Sequence, residues 1–185
     1  MGKSFSEISA DHRAFIHAQK MFFVATADTK GRINISPKGL DALRVMDAGR
    51  VVWLNLTGSG NETGAHVLYN PRMTLMFCAF EGDPQVLRLY GQARIIHEGD
   101  EDWPELYDAF PDYAGGRQIF DVRIDLVHQS CGMGVPLMTY QQSRAESQLE
   151  PFFARMGPAG TKAYQQRKNR RSLDGKPTDI RPTGD

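Results

Sequence analysis

Residues 72–96 read RMTLMFCAFEGDPQVLRLYGQARII, and the alternation within this stretch decides the fold. Residues 72–80 are apolar on both parities, the pattern of a strand whose two faces both meet a water-excluding surface, such as a core on one side and a partner or cofactor on the other. The turn EGDP at 81–84 then reverses the chain. Beyond it, Leu87, Leu89, Ala93 and Ile95 alternate with Arg88, Tyr90, Gln92 and Arg94, so one face is apolar and the other polar. Gly91, in mid-strand, predicts a bulge or a close approach of another backbone.

Upstream, the run MFFVATA (21–27), the turn DTKG (28–31) and RINIS (32–36) form a second hairpin signal. Ile33 and Ile35 fall on one face of its second strand, Arg32, Asn34 and Ser36 on the other, and Pro37 is expected to end it. After a turn at 47–49, RVVWLNLTG places Val52, Leu54 and Leu56 opposite Trp53, Asn55 and Thr57. Downstream, QIFDVRIDLVH (118–128) sets Phe120, Val122, Ile124 and Leu126 on one face. Helices are expected at 9–20, from an N-cap at Asn61 to Asn70-Pro71, and at 101–110. The expected fold is mainly β (α+β): a small antiparallel barrel of six strands with short peripheral helices and a helical C-terminal extension.

The boundary between barrel domain and extension falls near residue 140, giving a 1–140 domain and a 141–185 extension packed on it. In the extension, Leu149, Phe152, Phe153 and Met156 form an apolar stripe, and Gly157-Pro158 divides two helical stretches. From about residue 171 the chain, rich in Pro, Gly, Asp and Thr, is expected to be an extended arm or a disordered tail.

Charge is balanced, with 22 Lys and Arg against 22 Asp and Glu, so nothing draws the 185-residue chain as a whole to nucleic acid or to anionic membrane. The basic run RKNRR at 167–171 has no aromatic platform beside it and reads as a solvated helix end. Cys78 and Cys131 carry no CxxC spacing, and the five histidines carry no metal-ligand spacing: His12 and His17 are five apart and share no helical face. Cys131 reads as a loop residue and His66 as a structural hydrogen-bonding group. No metal is expected. The N-terminus lacks the apolar core of a signal peptide and no stretch is long enough to cross a membrane, so a cytoplasmic, soluble protein is expected.

Two polar loops stand where strands end: NISPKG at 34–39 and TGSGNET at 57–63. Loops rich in Gly, Ser and Thr ahead of a helix present N–H groups and hydroxyls that suit a phosphate, and Lys38 adds a full charge. From composition alone, ordinary turns are the commoner reading of both.

The ordered set NISPKG, WLNLTGSGNETGAH, NPRMTLMFCAFEG, LRLYGQARII and SCGMGVP, running within residues 21–136, resembles the pyridoxamine 5'-phosphate oxidase-related FMN-binding split-barrel family. The closing KN..SLDG.PT is similar to one subgroup. The resemblance implies a six-stranded split barrel, a homodimer with FMN at the subunit interface, and FMN-dependent oxidoreductase chemistry on a small molecule. It implies that Ser36, Lys38, Thr57, Ser59, Asn61, Glu62 and Thr63 surround the cofactor. Glu62 stands where the oxidases proper carry a basic residue, which leaves the phosphate to Lys38, to hydroxyls and to an arginine such as Arg88. Trp53, Phe77, Phe80 and Tyr90 are the aromatic residues that could neighbour a flavin ring. No side chain is singled out as catalytic. The C-terminal segment lacks the Arg- and Trp-bearing sequence of the vitamin B6 oxidases, which argues for a shared cofactor and a different substrate. Two alternatives share the barrel: a flavin carrier without turnover, and a haem protein, for which spacing singles out no axial ligand.

Overall fold

The structure is a computed structural model that describes residues 2–181. Eight strands form one antiparallel sheet: β1 Lys3–Phe5, β2 Phe22–Thr26, β3 Asn34–Lys38, β4 Leu43–Asp47, β5 Arg50–Leu56, β6 Arg72–Cys78, β7 Gln85–Ile96 and β8 Gly116–Cys131. The α-helices are α1 Ala10–Ala18, α2 Glu62–Tyr69, α3 Trp103–Tyr107 and α4 Glu150–Lys168, the last preceded by a π-helical turn at Ala145–Leu149. None is long and apolar enough to cross a membrane.

The strand order is β3-β2-β6-β7-β8-β5-β4, with β1 pairing β8 off this path. β8 organises it: of its sixteen residues, 119–131 pair β7, 116–123 pair β5, and 127–129 pair β1. Such a sheet must curl to bury its apolar face. β2 and β5 stand four places apart in the order, yet the rings of Phe22 (β2) and Trp53 (β5) lie 6.2 Å apart. Trp53 also stacks on Phe120 of β8 at 4.6 Å. Val24, Leu75, Phe77, Leu87, Leu89, Trp53, Phe120 and Val122 fill the concave side, and a second cluster, Val52, Leu54, Ile96 and Ile119, packs against Leu106 and Phe110 from the outside. Both faces of β5 are therefore buried, although its alternation marks one face as partly polar.

The hairpin of residues 72–96 is β6–β7, as the alternation predicts. Gly91 sits at a register shift against β8, and a Cβ there would lie 2.1 Å from the carbonyl oxygen of Arg123, so the backbones approach too closely for any side chain. Helix α1 begins at an N-cap, Ser9, whose side chain and that of His12 form a reciprocal capping box. α4 bends at Gly157, which takes φ 68° ahead of Pro158. Of the expected apolar stripe, Phe153 is buried while Phe152 is exposed.

Four expectations are corrected. The register shift opposite Gly91 turns Leu126 to the face of Tyr90, away from Phe120, Val122 and Ile124. The strand count is eight rather than six among the described residues, because β1 and β4 are short strands with weak patterning. Pro37 does not end β3; β3 is an edge strand, where a missing N–H leaves no partner unsatisfied. The chain beyond residue 168 is an ordered strap, with Asn169, Ser172 and Thr178 all buried; residues 182–185 of the expected tail lie outside the described residues.

Candidate cofactor site

At the open edge of the curled sheet, β3 faces β5 across a cavity of about 330 Å³ lined by Asn34, Ser36, Lys38, Asn55, residues 58–63, Arg117 and Leu173. The parity of β3 explains the arrangement. Asn34, Ser36 and Lys38 point to the concave side, opposite Thr26, Val24 and Phe22, while Ile33 and Ile35 point outward and are 75% and 65% exposed. Lys38 Nζ reaches Asn55 Oδ1 at 3.4 Å and lies 5.3 Å from the centre of the Trp53 ring.

Arg117, at the start of β8, completes the cavity from below. It is 7% exposed, and its Nη1 donates to the carbonyl of Gly60 (3.0 Å) and to Asn169 Oδ1 (2.7 Å). Its Nε has no partner, and neither has Asn61 Nδ2, although both atoms are buried. Two cations thus share one cavity, and among the described residues neither Lys38 nor Arg117 is ion-paired with a carboxylate. Burial, with Arg117's charge adding to it, pushes the Lys38 ammonium down to about 8. Burial likewise pushes the Arg117 guanidinium down. Two neighbouring cations withdrawn from water without an ion-paired carboxylate are costly, and an anion delivered by a ligand offsets that cost.

The loop at 57–63 brings its own donors. Helix α2 starts at Glu62 without a side-chain cap from Asn61, so its first-turn N–H groups stay available at the cavity end, where the helix dipole favours negative charge. The Thr63 hydroxyl accepts from Asn34 Nδ2 at 3.3 Å, tying β3 to α2, and Ser59 is exposed on the loop. A larger groove of about 880 Å³ continues from this cavity past Lys38, Leu56 and Gly58, which line both, toward Lys20, Leu40, Tyr113, Tyr140 and Arg144. Leu40 holds φ 65°, a strained conformation for leucine, fixed by its packing against the second core.

Six of the residues expected from sequence therefore line one cavity: Ser36, Lys38, Ser59, Asn61, Glu62 and Thr63. Thr57 lines the adjoining groove instead, and its hydroxyl is already used, donating to Gly115 O and accepting from Gln165 Nε2, both at 2.8 Å. Arg88 does not reach the cavity within the chain; it lies on the convex face and donates to Ser130 Oγ at 3.1 Å. Of the aromatic residues, Trp53 contacts Lys38, Phe77 is core, and Tyr90 lies on the convex face. Glu62 turns its carboxylate to the backbone N–H of Leu173, 3.1 Å from each oxygen. Arg117 and Asn169 escape sequence reasoning: Arg117 stands just ahead of the alternating run 118–128, and Asn169 sits inside a basic run that reads as solvated surface.

Comparisons with known proteins bear on the family and the fold. The family model described as pyridoxamine 5'-phosphate oxidase matches residues 8–131. The pyridoxamine 5'-phosphate oxidase family protein ustO of Aspergillus flavus is 32% identical over 189 residues, which cover 94% of this chain and 76% of that protein. Among solved structures, HupZ of Group A Streptococcus has a TM-score of 0.53 at 22% identity, covering 64% of this chain and 91% of its own. A candidate pyridoxamine 5'-phosphate oxidase of Lactobacillus delbrueckii has a TM-score of 0.54 at 17% identity, covering 66% and 94%. The two structural likenesses carry the fold, while the family match and the ustO identity carry the kinship: this chain belongs to the pyridoxamine 5'-phosphate oxidase family.

Proposed function

We propose that the protein is an FMN-binding flavoprotein, a split-barrel homodimer that acts as an oxidoreductase on a small molecule other than the vitamin B6 phosphates. The observation that carries this reading is a pair of cations, half-buried Lys38 and buried Arg117, neither ion-paired among the described residues, in a cavity that also holds the unpartnered Asn61 amide. A phosphate monoester fits that donor set: two positive charges for a dianion, the Asn61 amide, the Ser59 and Thr63 hydroxyls, and the N–H groups at the start of α2. The adjoining 880 Å³ groove offers the apolar walls and polar edges that a flavin ring requires. Bound FMN would supply hydride transfer at its N5.

Lys38, between cavity and groove, would orient the cofactor where phosphate and ring regions meet, and Trp53 beneath it holds the ammonium by a cation–π contact. Arg88 and Tyr90, on the convex face, would meet a flavin only from a second subunit, which makes the dimer part of the site. The C-terminal segment, unlike that of the vitamin B6 oxidases in sequence, folds here over the anion end of the cavity. This supports a common cofactor with a different substrate.

The test is the visible spectrum of the purified protein before and after incubation with FMN, followed by anaerobic NADH or NADPH and a panel of acceptors. A flavin spectrum that bleaches and returns is the expected result. A colourless protein that takes up no FMN overturns the reading. Binding without reduction by either donor would make it a flavin carrier.

A further inference from the structure

The strap that follows α4 makes contacts that position it as a wall of the anion cavity. Asn169 is fully buried: its Oδ1 accepts from Arg117, and its Nδ2 donates to the carbonyl of Gly58 at 2.9 Å. Four residues on, the Leu173 N–H meets the Glu62 carboxylate. The strap then crosses to the β2–β3 turn, where Asp174 pairs with Arg32 and accepts its backbone N–H at 2.8 Å, and Lys176 pairs with Asp28. It returns to the interior at Thr178, whose hydroxyl bonds to the Asn169 carbonyl and whose carbonyl faces Gln118 Nε2 at 3.5 Å. The strap thus bridges the start of α2 and the turn before β3, the two elements that frame the cavity at its Asn34 end. At the other end, past Lys38, the cavity runs on into the large groove.

The strap therefore borders one end of the site through Leu173 and the Glu62 carboxylate it holds, while the other end continues into the groove. From this geometry we infer that the docked strap makes the anion cavity a blind terminus, so that it selects a flavin ending in a phosphate monoester over one that continues through a second phosphate to adenosine. Two effects act together. A diphosphate would have to leave through the space that residues 169–174 fill. Its second phosphate would also meet Glu62, a like charge whose carboxylate is held by Leu173. Glu62 on this reading is a specificity residue and a strap anchor rather than a phosphate ligand. Strap docking and FMN binding are then linked, each favouring the other.

The inference rests on the flavin reading, and its experiment separates the two. Dissociation constants for FMN and for FAD are measured by quenching of flavin fluorescence in three proteins. These are the natural chain, the D174K/K176E variant, whose new charges oppose Arg32 and Asp28, and the D28K/R32E/D174K/K176E variant, which restores both pairs with signs exchanged. All four positions lie outside the cavity lining. The natural chain is expected to prefer FMN by about tenfold or more, the double variant to lose most of that preference, and the quadruple variant to regain it. Thermal melts of each protein show that the barrel is intact. A preference for FMN over FAD that is the same in all three, or absent in the natural chain, overturns the role of the strap while leaving flavin binding standing. Failure of the natural chain to bind either flavin overturns both.

Discussion

Arg117 Nη1 donates to Asn169 Oδ1 at 2.7 Å, and both side chains are buried, so the strand beneath the anion cavity is fastened directly to the first residue of the strap. A guanidinium held this way keeps its orientation while its Nε remains unpartnered. A cation needed only for stability would be paired; this one is positioned. Replacing Arg117 with methionine keeps most of the volume and removes the charge. FMN affinity should fall about thirtyfold or more, since losing one partner of a desolvated charge contact costs on the order of 2–5 kcal/mol. The ligand-free protein should lose far less, because an uncompensated buried charge disappears with the side chain. Flavin titration and thermal melts of the same variant check both halves; equal loss in both would make Arg117 a structural residue.

Lys38 gives the site a pH signature. Its ammonium is held down to about 8 in the ligand-free protein against an ordinary 10.5, so between those values the unfolded chain binds a proton that the folded chain does not. The Lys38 contribution to ligand-free stability should therefore rise with pH across that window. Anion binding works in the opposite sense. A bound dianion favours the charged lysine, so FMN affinity should hold level from about pH 6.5, above the second phosphate pKa of about 6, to about 8, and then weaken. The difference between the natural chain and a Lys38→Met variant isolates both slopes from other titrating groups. An alkaline limb that persists in the variant would assign it elsewhere.

The main strands were legible because each carries its own period. RINIS predicts that Asn34 and Ser36 share a face, and β3 places both in the cavity. β4 was not, since LRVMD shows no clean alternation and its pairing with β5 is broken by a register shift after Val45. The site divides in the same way. Lys38, Asn61 and Thr63 are readable because glycine, hydroxyl and cation cluster along the chain. Arg117 and Asn169 are not, because what brings them to the cavity is the meeting of residues 52 and 57 positions apart. The strap hides behind a composition typical of disorder, and its long-range partners, among them Arg117, Glu62, Asp28 and Arg32, order it.

Gly91 offers a test of the fold independent of ligand. A methyl group there would meet the Arg123 carbonyl at 2.1 Å and the Ile124 Cα at 3.1 Å, both backbone atoms of the paired strand. Neither can rotate away, so Gly91→Ala must open the β7–β8 ladder at the bulge. A loss of about 2–4 kcal/mol is expected, within the range of severe backbone or overpacking changes. For a chain of this size that lowers the melting temperature by roughly 4–16 °C. A change within about 1 °C would show that the ladder tolerates a side chain at this point.

The convex face of the sheet predicts how two copies meet. Register places Ile35, Ala25, Thr74, Tyr90 and Leu126 in one row across β3, β2, β6, β7 and β8. Ile35 is 65% exposed and Leu126 is 38% exposed, while Ala25, Thr74 and Tyr90 between them are half-buried. Apolar side chains at the edge of such a row are stable in water only at a cost of about 25 cal/mol per Å² of apolar surface left uncovered. A second copy placed on this face would cover them and bring its Arg88 and Tyr90 toward the first subunit's flavin. Light scattering behind size exclusion should give a dimeric mass for the natural chain and a monomeric one for an Ile35→Glu/Leu126→Glu variant. Flavin affinity should fall together with dimerisation in that variant, because neither substituted residue lines the anion cavity. A natural chain that is monomeric at micromolar concentration and still binds FMN would sink the shared site; a monomeric variant with unchanged affinity would show that one subunit suffices to hold the cofactor.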